Sequence, residues 1–94
     1  GGLAIQQAMS FGLPVIVGQA DGTQSELVRP ENGWCLLSGT IESLTQALQT
    51  ALSDATRLRK MGLESYRIVK DEINLENMVR AFVEAVNSIA GKTR

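Results

Sequence analysis

Apolar and polar positions follow two rhythms along the chain. In residues 2–11, Leu3, Ile5, Ala8, Met9 and Phe11 are interleaved with the polar Gln6, Gln7 and Ser10. Ala, Leu, Gln and Met favour the helix, so the segment predicts one. Gly12 supplies its C-terminal stop and Pro14 forbids continuation. The run Val15-Ile16-Val17 then breaks the helical rhythm. Three β-branched residues in succession predict a short parallel strand covered on both faces. Residues 18–25 read as a loop with Asp21-Gly22 as its turn. Glu26-Leu27-Val28 predicts a helical turn. A second turn follows at residues 29–33, where Asn32-Gly33 is suited to positive φ. Trp34-Cys35-Leu36-Leu37 predicts the second strand, with Cys35 as a small buried apolar side chain and Trp34 packed in the core or at the edge.

Beyond residue 39 the pattern is helical throughout. Thr40 is a good N-cap with Glu42 in the first turn. Ile41, Leu44, Ala47, Leu48, Ala51 and Leu52 recur at helical spacing, which predicts an amphipathic helix over 41–52 packed on the sheet. Ser53 and Asp54 end it and cap the next helix, expected over 55–72 with Leu58, Met61, Tyr66, Val69 and Ile73 on one side. Gly62 lies inside that helix at a cost of about 1 kcal/mol relative to Ala, which close packing against a neighbour would rationalise. Asn74 caps a last helix over 75–90. Its stripe of Leu75, Met78, Val79, Phe82, Val86 and Ile89 is the cleanest helical repeat in the chain. Residues 91–94 are expected to fray.

The order is helix, strand, turn, strand and three helices. Two strands make too small a sheet to stand alone. They read as the closing strands of a doubly wound parallel α/β sheet whose earlier strands precede residue 1. The chain has 94 residues, no initiator Met, and begins at a strand-to-helix junction, so it is expected to be a fragment of a longer protein.

Composition narrows the chemistry. A net charge of −1 gives no electrostatic case for nucleic acid. Residues 1–56 hold Asp21, Glu26, Glu31, Glu42 and Asp54 against the single base Arg29, while the remainder is richer in bases. That basic half reads as a solvated helix face in preference to a surface for an anionic lipid or substrate. One cysteine excludes an internal disulfide, and the absence of His excludes a His-containing metal site or a Ser-His-Asp triad within this chain. No apolar run reaches the length of a spanning helix, and no basic n-region marks a signal peptide. The expectation is a cytoplasmic setting, with peripheral contact at the inner face of a membrane.

The candidate chemistry sits at the start. A helix that opens after Gly1-Gly2 presents backbone N–H groups at the positive end of its dipole, where an anion can bind. The order G-L-A-I-Q-Q-A-M-S-F-G-L-P-V-I-V, followed by a Gly-containing loop and S-E-L-V-R-P-E-N-G-W, resembles the C-terminal domain of family 4 glycosyltransferases of the GT-B fold. Typical of that family are "GLA-x-x-E-A-M-A-x-G-x-P-V-I", then "G-G-x-x-E-L-V" and "x-N-G". The resemblance covers essentially the whole chain and is strongest from Gly2 to Trp34.

The resemblance implies that the chain is the C-terminal part of a Rossmann-like donor-binding domain. Its partners would be a UDP- or GDP-type nucleotide sugar, a saccharide or lipid-linked acceptor, and an N-terminal acceptor domain in the parent chain. The transfer would be retaining and metal-independent, would need no cofactor, and would serve cell-surface polysaccharide assembly. The last helices would pack back across the interdomain region. The backbone N–H groups of Gly2, Leu3 and Ala4 would lie near the donor sugar and diphosphate. Gln7 stands where the family has the second Glu of its E-x7-E motif, which commonly holds the ribose hydroxyls; Gln keeps hydrogen bonding there but not the charge. The first Glu, which contacts the transferred sugar, would stand two residues before Gly1. Gly22-Thr23 occupies the usual Gly-Gly position, and Glu26 is read as a structural brace for its turn. No catalytic residue is assigned within the chain, and the fragment alone is expected to be inactive. A GT-B-like domain without catalysis, with an interaction or regulatory role and Gln7 marking a decayed site, is the alternative. A flavodoxin-like receiver is disfavoured, because no carboxylate cluster follows Val17.

Overall fold

The first helix, α1 (Gly2–Ser10), ends in a reversal set by Gly12. In the computed structural model, which describes residues 2–18 and 24–92, Gly12 takes φ of 72°. Its N–H donates to the Met9 carbonyl at 2.9 Å, and the Leu13 N–H donates to the Ala8 carbonyl at 3.4 Å. This pair of bonds around a left-handed residue is a Schellman motif, which satisfies the last carbonyls of the helix. After the corner the chain continues as β1 (Val15–Gly18). Then α2 (Gln24–Leu27) leads into β2 (Gly33–Leu36). The strands pair in parallel, with Val15 opposite Gly33 and Gly18 opposite Leu36. Both strands fall where their sequence predicts them, and the chain is a mixed α/β structure. The expected loop turn Asp21-Gly22, the Gly-Gly position Gly22-Thr23, and Gly1 lie outside the described residues.

The Asn32-Gly33 step differs from expectation. Neither residue has positive φ; among the described residues only Gly12 and Asn74 do. Gly33 lies within β2 and is buried. A Cβ there would fall on the Val15 carbonyl oxygen and 2.9 Å from Val28 Cγ1. Close approach of two strands, and not turn geometry, accounts for this glycine. Cys35 is also corrected: it is exposed, and its thiol donates to the Val28 carbonyl at 3.4 Å. It sits on the last strand of a two-stranded sheet, where no further layer covers it. Trp34 is half-buried at that edge, as expected, with the Arg57 guanidinium 5.2 Å from its ring centroid. Residues 15–17 of β1 are half-buried instead of covered on both faces.

The third helix, α3 (Ile41–Leu52), matches its predicted bounds. The Thr40 hydroxyl caps it by accepting from the Ser43 N–H at 3.2 Å. It packs through Ala47 and Ala51, which are buried. Leu44 and Leu48 remain accessible beside Ile16 and Leu36, and Ile41 is 82% exposed. Two strands are too narrow to cover the whole stripe. Asp54 caps α4 (Ala55–Arg67), its carboxylate accepting from the Arg57 N–H at 3.0 Å. Gly62 is buried, and a Cβ on it would overlap the Gly12 carbonyl. The close packing expected for this glycine is therefore against the α1 corner.

The helix predicted to run on to residue 72 instead widens into a π-helical turn, Ile68–Ile73. The Asn74 N–H closes it on the Val69 carbonyl, five residues back, at 2.6 Å. The extra residue in the turn brings both Ile68 and Val69 inward. They join Met9 in the core, with Ile5, Val15, Leu27 and Ile73 packed around them. Burying a side chain of this size stabilises by about 2 kcal/mol, so this cluster holds α1 against the turn. Tyr66, expected on the packed side, is exposed. Asn74 takes φ of 70° and caps α5 (Leu75–Lys92), its Oδ1 accepting from the Glu76 N–H at 2.8 Å. The predicted stripe of α5 is uncovered: Val79, Phe82, Val86 and Ile89 are exposed and only Met78 is half-buried. The Leu75 side chain lies outside the described residues. The helix runs to Lys92, past the expected fray point, and residues 93–94 are not described.

Candidate functional site

The first turn of α1 stands beside α2, the element that follows the C-terminal edge of β1 in the chain. In open α/β sheets that edge is where ligands bind. The first-turn amides of Gly2, Leu3 and Ala4 come before any intrahelical acceptor. No acidic side chain stands in this turn to oppose an anion. Gly2 and Ala4 are exposed and Leu3 is half-buried. Gln7 is exposed three residues after Ala4, on the same side of the helix, and its backbone carbonyl accepts from the Ser10 hydroxyl at 2.6 Å. All four predicted donor residues thus belong to one helix, with Ile5 and Met9 on the inner side fixing it to the core.

The second element at this edge is α2. Leu27 packs against α1, its Cδ1 4.0 Å from where a Cβ of Gly2 would stand. Glu26 braces its turn as expected, but through its backbone: its carbonyl accepts from Arg29 Nε at 3.0 Å. Its carboxylate forms no ion pair with a described residue. The turn itself is built on Asn32, which is fully buried. Asn32 Oδ1 accepts from the Arg29 N–H at 2.7 Å, and Nδ2 donates to the Leu27 carbonyl at 3.1 Å and to Ser65 Oγ at 3.2 Å. Asn32 thereby ties α2 to α4, a role the sequence motif does not reveal.

Arg29 reaches further. Its Nη1 and Nη2 donate to the two oxygens of Glu72 at 3.0 and 2.8 Å. Arg67 Nη2 donates to Glu72 at 3.1 Å and to Glu64 at 2.6 Å, and Asp71 lies 3.9 Å from the same guanidinium. The Glu64, Arg67 and Asp71 contacts follow from helical spacing. The Arg29–Glu72 pair spans 43 residues and has no local signal. Hydrogen bonds from Arg29 and then Arg67 hold the Glu72 carboxyl at about 2, against an ordinary 4.5. Glu64 is lowered mainly by Arg67, and both arginines are held more firmly protonated by their carboxylate partners.

The folded pKa of Glu72 lies below its unfolded value. Its contribution is therefore complete above about pH 4.5 and is lost as the pH falls towards 2. In urea unfolding of the intact protein at stepped pH, the gap between wild type and Glu72→Gln should be widest above pH 4.5 and should close towards pH 2. A gap that does not change with pH would show that the pairing contributes nothing.

Other concavities lie elsewhere. A cleft lined by Ser10, Tyr66, Val69, Lys70 and Asn74 opens at the far end of α1 from Gly2. An apolar groove between Ile16, Leu36, Leu44 and Leu48 runs under α3. Among the described residues no His, Cys, Asp or Glu cluster is placed to hold a metal ion, and no helix is long and apolar enough to cross a membrane.

No curated protein and no solved structure matches the chain. The family described as glycosyl transferases group 1 matches residues 1–67. That match takes in α1, both strands and every helix through α4. The chain belongs to the group 1 glycosyl transferases.

Proposed function

We propose that this chain is the C-terminal part of the donor-binding, Rossmann-like domain of a GT-B glycosyltransferase, and that α1 carries the donor. The observation that supports this most is the first turn of α1: exposed glycine and alanine, no acidic side chain, and a position beside α2, all inside the family match. Sugar transfer breaks the bond between the anomeric carbon and the diphosphate of a nucleotide sugar. Negative charge grows on the departing diphosphate, and fixed N–H dipoles stabilise it. The amides of Gly2, Leu3 and Ala4 supply those dipoles. Gln7, one turn along, hydrogen-bonds the ribose hydroxyls of a UDP- or GDP-type donor. The acceptor, a saccharide or lipid-linked sugar, would enter from an N-terminal domain of the parent chain, and transfer would retain anomeric configuration.

Calorimetric titration of the intact parent with UDP and GDP tests the reading. One nucleotide should bind saturably. Gln7→Glu should tighten it by about five- to tenfold, because a carboxylate accepts ribose hydroxyls more strongly than an amide does. Failure of a well-folded parent to bind either nucleotide would remove the donor site from α1 and favour a domain of interaction or regulation.

A further inference from the structure

The direction of α5 has little to fix it. Eighteen residues long, it has no buried side chain among those described, and its start rests on Ile73 and the half-buried Met78. The chain enters it through the π turn and through Asn74 in a left-handed conformation. π turns are rare and occur mostly as single turns, frequently at functional sites, and a left-handed non-glycine residue persists only where its surroundings hold it. What holds this junction from outside is Glu72, on the π turn. Arg29 grips it with two bonds and Arg67 with a third. Arg29 at the same time holds the Glu26 carbonyl at the end of α2.

We propose that Arg29, Glu72 and Arg67 form a latch that makes the α2 turn and the π turn one body, and so sets the direction of α5. With the latch closed, α5 extends as observed. With it open, the π turn can rewind around Asn74 and α5 swings, carrying its stripe of Val79, Phe82, Val86 and Ile89 with it. An exposed ion pair contributes little to global stability. The inner side of the π turn is held by Ile68, Val69 and Ile73, and the ion pair acts on its outer side, where α5 has no buried side chain among those described, so its effect is local. It also couples two ends: α2, which packs against the start of α1, and α5. This inference is independent of what α1 binds.

Hydrogen exchange of the intact parent protein, followed by mass spectrometry, tests the latch in Glu72→Gln, Arg29→Gln and Glu64→Gln. Glu72→Gln and Arg29→Gln should each speed exchange by about five- to tenfold in both segments, residues 27–33 and 72–80. Amides of α3 and the first turns of α4 should keep their wild-type rates. Glu64→Gln, which removes a partner of Arg67 but leaves the Arg29–Glu72 bonds, should leave both segments near wild type. If each variant loosens only its own segment, or all helices speed up equally, the latch is overturned: the pair is then a local or a general brace.

Discussion

Replacing Gly33 by Ala should cost about 3 kcal/mol or more. The added Cβ would overlap the Val15 carbonyl oxygen and stand 2.9 Å from Val28 Cγ1. A flexible side chain could move aside, but a strand carbonyl cannot. Val15 and Gly33 are directly opposed in the parallel pair, and the Val15 N–H already donates to the Asn32 carbonyl at 3.1 Å. Relief therefore means parting β1 from β2 at the start of their pairing. Val28, the second neighbour of that Cβ, is itself buried at 2% exposed. Equilibrium urea unfolding should show a lower midpoint for Gly33→Ala. Gly18→Ala, with no atom within 4 Å of its Cβ position, should be close to wild type. Equal behaviour of the two variants would contradict the close approach of the strands.

Asn32→Ala should be nearly as damaging, at about 2–4 kcal/mol. The side chain is fully buried, donates both of its N–H bonds and accepts one bond at its carbonyl oxygen. Truncation leaves the Arg29 N–H, the Leu27 carbonyl and Ser65 Oγ each short of a partner. Ser65 is itself fully buried, so water does not readily replace what is lost there. Asn32→Asp separates shape from chemistry. It keeps the acceptor for the Arg29 N–H, loses both donors, and places a charge in a buried site, so it should destabilise at least as much as Ala. Thermal unfolding of the three proteins at neutral pH checks the order. Wild-type stability in Asn32→Asp would mean that the two donated bonds are not made.

These two neighbours show where sequence reading stops. Asn-Gly between apolar runs is a strong turn signal, and a turn does precede β2. The reason for each residue, however, is not the usual one. Asn32 is selected by partners at positions 27, 29 and 65, and Gly33 by a strand 18 residues earlier. A motif records residue types, and the same pair of types serves a positive-φ turn or a buried amide beside a close strand contact. The donor-site reading is similar. Gly2, Leu3, Ala4 and Gln7 stand out in the sequence as donor-site candidates because they lie within two turns of one helix and match a family pattern. Arg29 and Glu72 do not stand out, because nothing local links residues 43 apart.

By itself the sequence determined most of the local elements. Thr40 and Asp54 cap their helices through bonds that span three residues. Gly12 ends α1 through carbonyls three and five residues behind the donating N–H groups. The β-branched run made β1, and helical spacing made α3 and α5. Such terms act within about one or two turns, so a short window of sequence contains both partners. The tertiary structure decided what each face meets. It left Cys35, Tyr66 and the α5 stripe exposed, buried Asn32 and Ser65, placed Gly62 on the Gly12 carbonyl, and widened the end of α4 so that Ile68 and Val69 could both reach Met9. Burial depends on which distant segments arrive at a surface, and periodicity states only that a face is apolar, not what covers it.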